Sequence, residues 1–185
     1  RNILDNSKML SCTISMNCCG QYFVSILVDV VIPNKGKTGK SVGIDLGLKS
    51  FATLSDGVVI DNIKFFREKQ SEIAKIQRHL SRKNKGSNRH RKNKIKIARL
   101  YNKIANKRNN FLHNVTTSLV NNYDVICIED LNVSGMLSNH KLAKAISDTS
   151  FSMFRSMLEY KCNWYGKELV VIDRFYPSSK TCSKC

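Results

Sequence analysis

The first third of the chain carries its apolar residues in short β-branched and aromatic runs separated by turn residues. Cys12 to Ile32 predicts two strands about a turn at Cys19-Gly20. Pro33 to Lys40 (PNKGKTGK) has no apolar pattern and is expected to be a linker. Three short strands follow, Ser41 to Gly47, Phe51 to Ser55 and Val58 to Asn62. Between the last two, Asp56-Gly57 is a two-residue hairpin signal, expected as a type I′ turn with positive φ at both central positions. From Arg67 the spacing becomes helical. Ile73, Ile76 and Leu80 mark one face, and Ile97, Tyr101, Ile104, Phe111 and Val115 another. The intervening Ser81 to Lys94 (SRKNKGSNRHRKNK) is expected to interrupt the helical pattern. Val125 to Ile128 suits a buried strand. Asn139 to about Tyr165 is mostly helical, and Leu169 to Ile172 is a last strand.

The resulting order, β-β-β-α-α-β-α-β, predicts an α/β fold with a mixed sheet covered by helices. No internal repeat is visible. The longest apolar stretch, Tyr22 to Ile32, is broken by Ser25 and Asp29 and is too short to span a bilayer.

Charge changes the picture. Among 185 residues, 31 Lys and Arg face 14 Asp and Glu, a formal +17. That excess repels itself in a compact state and attracts polyanions, so nucleic acid is the expected partner, ahead of a membrane surface. With 42% hydrophobic residues and only 2 prolines, a disordered or collagen-like chain is excluded. The charge is concentrated: residues 67–110 hold 16 Lys and Arg against 2 Glu. Solvated helix faces mix signs, whereas this imbalance suits a surface that neutralises phosphates. Arg78, Arg82, Lys83, Lys85, Arg89, Arg91, Lys92 and Lys94 are the candidate contacts.

Two carboxylates stand out. In VGIDLGLKS, alternation puts Val42, Ile44 and Leu46 on one face and Gly43, Asp45 and Gly47 on the other. The two glycines are expected to leave open space beside Asp45, where a phosphate backbone or a metal ion could approach. The alternative is an Asp capping a turn. In VICIED, Glu129 shares a face with Val125 and Cys127, directly after an apolar run. An ionised carboxylate there needs a partner or a metal; otherwise Glu129 or Asp130 caps the loop toward Asn132. Should the two strands adjoin, both acids reach one edge of the sheet. Such a pair can hold Mg²⁺, or Mn²⁺, with retained waters.

The 7 cysteines are odd in number and unevenly scattered, which argues against a secreted disulfide framework and for an intracellular, cytoplasmic setting. Cys182 and Cys185 form a CxxC at the end of the chain, half of a four-ligand zinc site. A redox pair is the competing reading, but none of the helix that would normally follow is present. None of the four histidines forms a zinc-spaced pair with the cysteines.

SVGIDLGLKSFATLSDG (41–57), the basic helical stretch with FLHNVTTSLV (111–120), ICIEDLNVSGML (126–137), NHKLAKAISD (139–148) and LEYKCNWYGKELVVIDRFYPSSKTCSKC (158–185) occur in this order. Together they resemble the transposon-encoded TnpB (OrfB) family, relatives of the compact single-effector CRISPR nucleases. The resemblance implies a RuvC/RNase H-like nuclease that cuts DNA at sites chosen by a guide RNA. Asp45 matches the family's first catalytic carboxylate and Glu129 its second, and Cys182 and Cys185 match the first half of its zinc ribbon. It also implies three segments: the tail of an N-terminal β-barrel domain with its linker (1–40), a nuclease core (41–180) carrying the basic insert 67–110, and the start of the ribbon (181–185). The family's third catalytic Asp and second zinc pair would follow Cys185. The chain is therefore expected to be truncated at both ends, with Zn²⁺ bound only if the second half of the ribbon is present. A catalytically inactive nucleic-acid-binding remnant is the alternative.

Overall fold

Alternation decides the central sheet. In β3 (Ser41–Leu46) Val42 and Ile44 are buried, and in β6 (Val125–Glu129) Ile126 and Ile128 are buried, while the residues between them are not. A computed structural model of the chain describes residues 8–139, 142–174 and 176. They fall into two compact units, one formed by Arg1–Pro33 with Phe65–Asn110 and the other by Asn34–Lys64 with Phe111–Cys185.

The second unit holds a five-stranded sheet. Its strands β3, β4 (Ser50–Leu54), β5 (Val59–Asp61), β6 and β7 (Glu168–Ile172) lie in the order β5-β4-β3-β6-β7. The first three are antiparallel, and β6 and β7 add in parallel, so the sheet is mixed as the element order predicts. The β4–β5 turn differs from expectation. Gly57 has φ 91°, but Asp56 does not have positive φ. Gly57 N donates to Leu54 O and Leu54 N to Val58 O, a three-residue loop closed by a left-handed glycine rather than a type I′ turn.

One face of the sheet is covered by the end of the 35-residue helix α2 (Asn88–Asn122) and by α5 (Phe151–Tyr165). Buried Phe51 of β4 meets Phe111 at 5.1 Å and Phe154 at 5.2 Å, both edge to face. In α5 the buried residues Phe151, Phe154, Met157, Leu158, Lys161 and Cys162 recur at helical spacing. Lys161 is an ammonium on an apolar face, and three oxygens satisfy it: His113 O at 2.9 Å, Thr116 Oγ1 at 2.7 Å and Thr117 Oγ1 at 2.8 Å. Burial pushes its pKa down. Two short helices precede α5, α3 (Val133–Leu137) and α4 (Ala143–Thr149). Ser150, at φ 56°, separates α4 from α5 within the stretch expected to be mostly helical.

The segment 34–40 has no regular structure, yet it is tied down. Asp124 Oδ2 accepts from Thr38 N and Gly39 N, and buried Lys167 donates to Gly36 O and to Asp124 Oδ1. Glycine, lysine and threonine look like linker in sequence, because these partners lie about 85 and 130 positions away.

In the first unit, β1 (Lys8–Met16) and β2 (Tyr22–Asp29) pair antiparallel. Their turn is wider than Cys19-Gly20. Asn17 Oδ1 accepts from Cys19 N and Gln21 N, and Gly20 takes φ 77°. Apolar side chains are exposed along both strands, including Met9, Ile14, Tyr22 and Val24. The helices α1 (Phe65–Ser81) and α2 form the expected pair, with Phe66 stacked on Tyr101 at 6.3 Å. The interruption is shorter than the sequence suggests. Gly86 at φ 84° turns the chain, Ser87 Oγ accepts from His90 N, and residues from Asn88 onward are helical.

Among the described residues, no helix is long and apolar enough to cross a membrane.

Candidate functional site

Parallel pairing brings the two conspicuous acids level. Ser41, Val42, Gly43 and Ile44 of β3 pair with Val125, Ile126, Cys127 and Ile128 of β6. Asp45 and Glu129 are the next residues on each strand, at the carboxyl ends of two hydrogen-bonded parallel neighbours. Ligands of open α/β sheets bind at that end. Because Ile44 and Ile128 face the core, both acids belong to the opposite face. Asp45 pairs with Thr53 of β4, and Glu129 with Ile172 of β7. Asp45 is exposed and Glu129 half-buried.

The glycines beside Asp45 act differently from the expected open space. A Cβ at Gly43 would touch Ser55 Cβ at 3.8 Å, an ordinary contact, and Ser55 Oγ accepts from Gly43 N. A Cβ at Gly47 would come within 3.0 Å of Ser50 O. Gly47 is thus demanded by the tight connection from β3 to β4, where its N–H donates to Phe51 O.

Glu129 lines two clefts. One, of about 560 Å³, is walled by Leu46, Asn132, Ser134, Ser152, Arg155, Glu159 and Arg174 among others. The other, of about 370 Å³, includes Asp130, Ile172, Asp173, Arg174 and Tyr176. Asp45 lies outside both linings, although its neighbour Leu46 is in the first.

Asp130 neither joins this pair nor caps the loop. Its Oδ1 accepts from Arg155 Nη1 at 2.5 Å, and its Oδ2 accepts from Arg174 Nη2 at 2.6 Å and Nε at 3.2 Å. The Arg174 guanidinium first, then that of Arg155, holds the Asp130 carboxyl below its ordinary range. Hydrogen bonds to Glu159 and Asp130 push Arg155 up. The cap is Asn132, whose Oδ1 accepts from Gly135 N at 3.0 Å at the start of α3.

The described residues contain no group of three or more His, Cys, Asp or Glu able to hold a metal ion. Asp45 and Glu129 offer two hard oxygen donors, which fits a Mg²⁺ ion that keeps several waters. Cys182 and Cys185 lie outside the described residues.

The basic candidates are in the other unit. Of the eight, Arg78, Arg82, Lys85, Arg89, Arg91, Lys92 and Lys94 are exposed and Lys83 is half-buried. Lys83, Arg89 and Lys92 line a cleft of about 480 Å³ on the helical pair, together with Ile76, His79, Asn93 and Lys96. Arg89, Lys92, Asn93 and Lys96 follow one helical stripe, a spacing visible in the sequence that the charge count passed over.

Residues 23–140 match the family OrfB_IS605, described as "Probable transposase". The chain belongs to this OrfB transposase family. Residues 151–185 match a second family, the Cas12f1-like TNB domain. A Streptomyces pristinaespiralis protein, named as a candidate RNA-guided DNA endonuclease, is 45% identical over all of this chain and 46% of its own length. InsQ of Escherichia coli K12, also named as a candidate RNA-guided DNA endonuclease, is 35% identical over 94% of this chain and 46% of its own length. The OrfB chain therefore spans about half the length of these relatives. Among solved structures, a Cas12f1–sgRNA–target DNA complex superposes with a TM-score of 0.54 at 18% identity, over 89% of this chain and 35% of that one. The mixed sheet with flanking helices is the RNase H-like fold expected from the resemblance.

Sequence reasoning missed Arg155 and Arg174. They lie 25 and 44 positions from Asp130, and nothing local marks either one.

Proposed function

We propose that this OrfB chain is the core of a divalent-metal-dependent DNA endonuclease that finds its site through a guide RNA. The observation that carries the reading is the register of β3 and β6, which sets Asp45 and Glu129 level at the carboxyl ends of parallel strands. Their carboxylates would hold one or more Mg²⁺ or Mn²⁺ ions. A bound ion supplies an activated water and charge stabilisation on the phosphoryl oxygens. The chain's own residues bind and orient. Lys83, Arg89 and Lys92, with the rest of the basic pair, would neutralise the backbone of a guide–target duplex and leave sequence reading to base pairing. The names of the relatives and the Cas12f1 likeness support DNA and guide RNA as partners.

The test is cleavage of a guide-matched DNA by the protein extended to the full length of its relatives. Cleavage that requires Mg²⁺ or Mn²⁺ and disappears in Asp45→Ala and Glu129→Gln supports the reading. Unchanged cleavage after Asp45→Ala overturns the assigned role. A second reading, nucleic-acid binding without cleavage, is favoured by there being two carboxylates rather than a group of three among the described residues. The same assay separates the two.

A further inference from the structure

The cleft beside Glu129 contains a charged assembly that the proposed chemistry leaves unused. Arg155 enters from α5 and Arg174 from the segment after β7, and both converge on Asp130, which follows Glu129 directly. The three side chains are between 29% and 42% exposed, so they stand at a solvent-open wall rather than in the core. Each Asp130 oxygen is taken by a different guanidinium. Arg155 is fixed from its other edge as well, Nε donating to Glu159 Oε1 at 2.9 Å. These bonds use Nη1 and Nε of Arg155, and Nη2 and Nε of Arg174. Nη2 of Arg155 and Nη1 of Arg174 remain outside them.

Within the triad itself, two guanidiniums share one carboxylate. Glu159, and Glu129 and Asp173 in the same cleft walls, balance the two guanidiniums formally, so the match to a phosphate lies in the N–H edges left over and not in net charge. Planar guanidiniums held at fixed angles suit phosphate oxygens, because little rotamer freedom is lost on binding. We propose that Asp130 is a positioning residue, locking Arg155 and Arg174 into a paired site for one phosphate of a nucleic-acid strand beside Glu129. This rests on the reading that such a strand occupies the cleft. It assigns Asp130 to orienting the strand, in contrast to the metal-holding role proposed for its neighbour.

The experiment is a titration of the ¹⁵N-labelled chain, without metal, with the thymidine dinucleotide TpT, following the arginine Nε–Hε resonances. Saturable shifts are expected at Arg155 and Arg174, and none with thymidine, which lacks the phosphate. Asp130→Asn should weaken the affinity at these two residues at least tenfold, and Asp130→Glu should restore part of it. Arg174→Lys, which keeps the charge but loses the planar fork, should weaken it similarly and serves if Asp130→Asn unfolds. Equal shifts with thymidine, or affinity unchanged in both Asp130→Asn and Arg174→Lys, would overturn the proposal. Mn²⁺ addition separates the two readings. Asp45→Asn should abolish Mn²⁺ broadening near Glu129 and leave the dinucleotide shifts intact. Failure of Mn²⁺ to broaden the wild type, with the arginines still titrating, would count against the nuclease and leave the phosphate site standing.

Discussion

Lys167 Nζ lies 2.5 Å from Asp124 Oδ1, and the lysine side chain is 1% exposed. Together the two residues, each immediately before a strand, fasten segment 34–40 to the entries of β6 and β7. The Lys167 bond first, then the Thr38 and Gly39 N–H groups, holds the Asp124 carboxyl well below the usual carboxylate range.

A carboxyl depressed in the folded state contributes stability above its unfolded pKa, about 3.9, and loses it as pH falls below that value. Thermal melts of the wild type should therefore lose Tm as pH is lowered from about 4. Asp124→Asn should melt lower at pH 7 and show a shallower acid decline. Melts from pH 7 down to pH 2 check both; parallel acid limbs would refute the assignment.

Phe51 is nearly inaccessible among Phe111, Phe151 and Phe154. Phe51→Ala should cost about 3–5 kcal/mol, through lost burial and the cavity left behind. Urea unfolding followed by circular dichroism measures the loss, and a cost below about 1 kcal/mol would contradict this packing.

Replacing Asn132 removes the oxygen that receives Gly135 N. Asn132→Ala should destabilise by about 1 kcal/mol. Gly135→Ala should cost no more than this, because the atom its Cβ would meet, Asn132 Nδ2 at 2.6 Å, is the end of a side chain that can swing aside, and alanine favours the helix. Comparing the two melts checks the order.

Binding of duplex nucleic acid should weaken steeply with salt. If Lys83, Arg89 and Lys92 each neutralise one phosphate, the triple Gln variant should lower the slope of log K against log salt by about 2–3. Fluorescence anisotropy across a salt series measures it, and an unchanged slope would remove these three from the interface.

Residues that act along one face were legible in the sequence. Val42, Ile44, Ile126 and Ile128 alternate, so β3 and β6 could be drawn and Asp45 and Glu129 set on their uncovered side. The basic pair was legible from composition alone. The misses share a cause, since each depends on a partner distant in the chain. Segment 34–40 looks like a spacer because Asp124 and Lys167 are remote. Asp130 reads as a candidate loop cap because Arg155 and Arg174 are remote too. The β4–β5 turn was misassigned because Asp-Gly fits two loop types, and hydrogen bonding by Leu54 and Val58 chooses between them.

The rungs from Ser41–Val125 to Ile44–Ile128 carry a consequence for divergence. The meeting of the two acids is set by four consecutive backbone pairings and not by the length of the basic helical excursion between the strands. Exposed helical residues of 67–110 can be gained, lost or recharged among relatives without disturbing it. A single deletion inside either strand would turn one carboxylate toward the phenylalanines and part the pair.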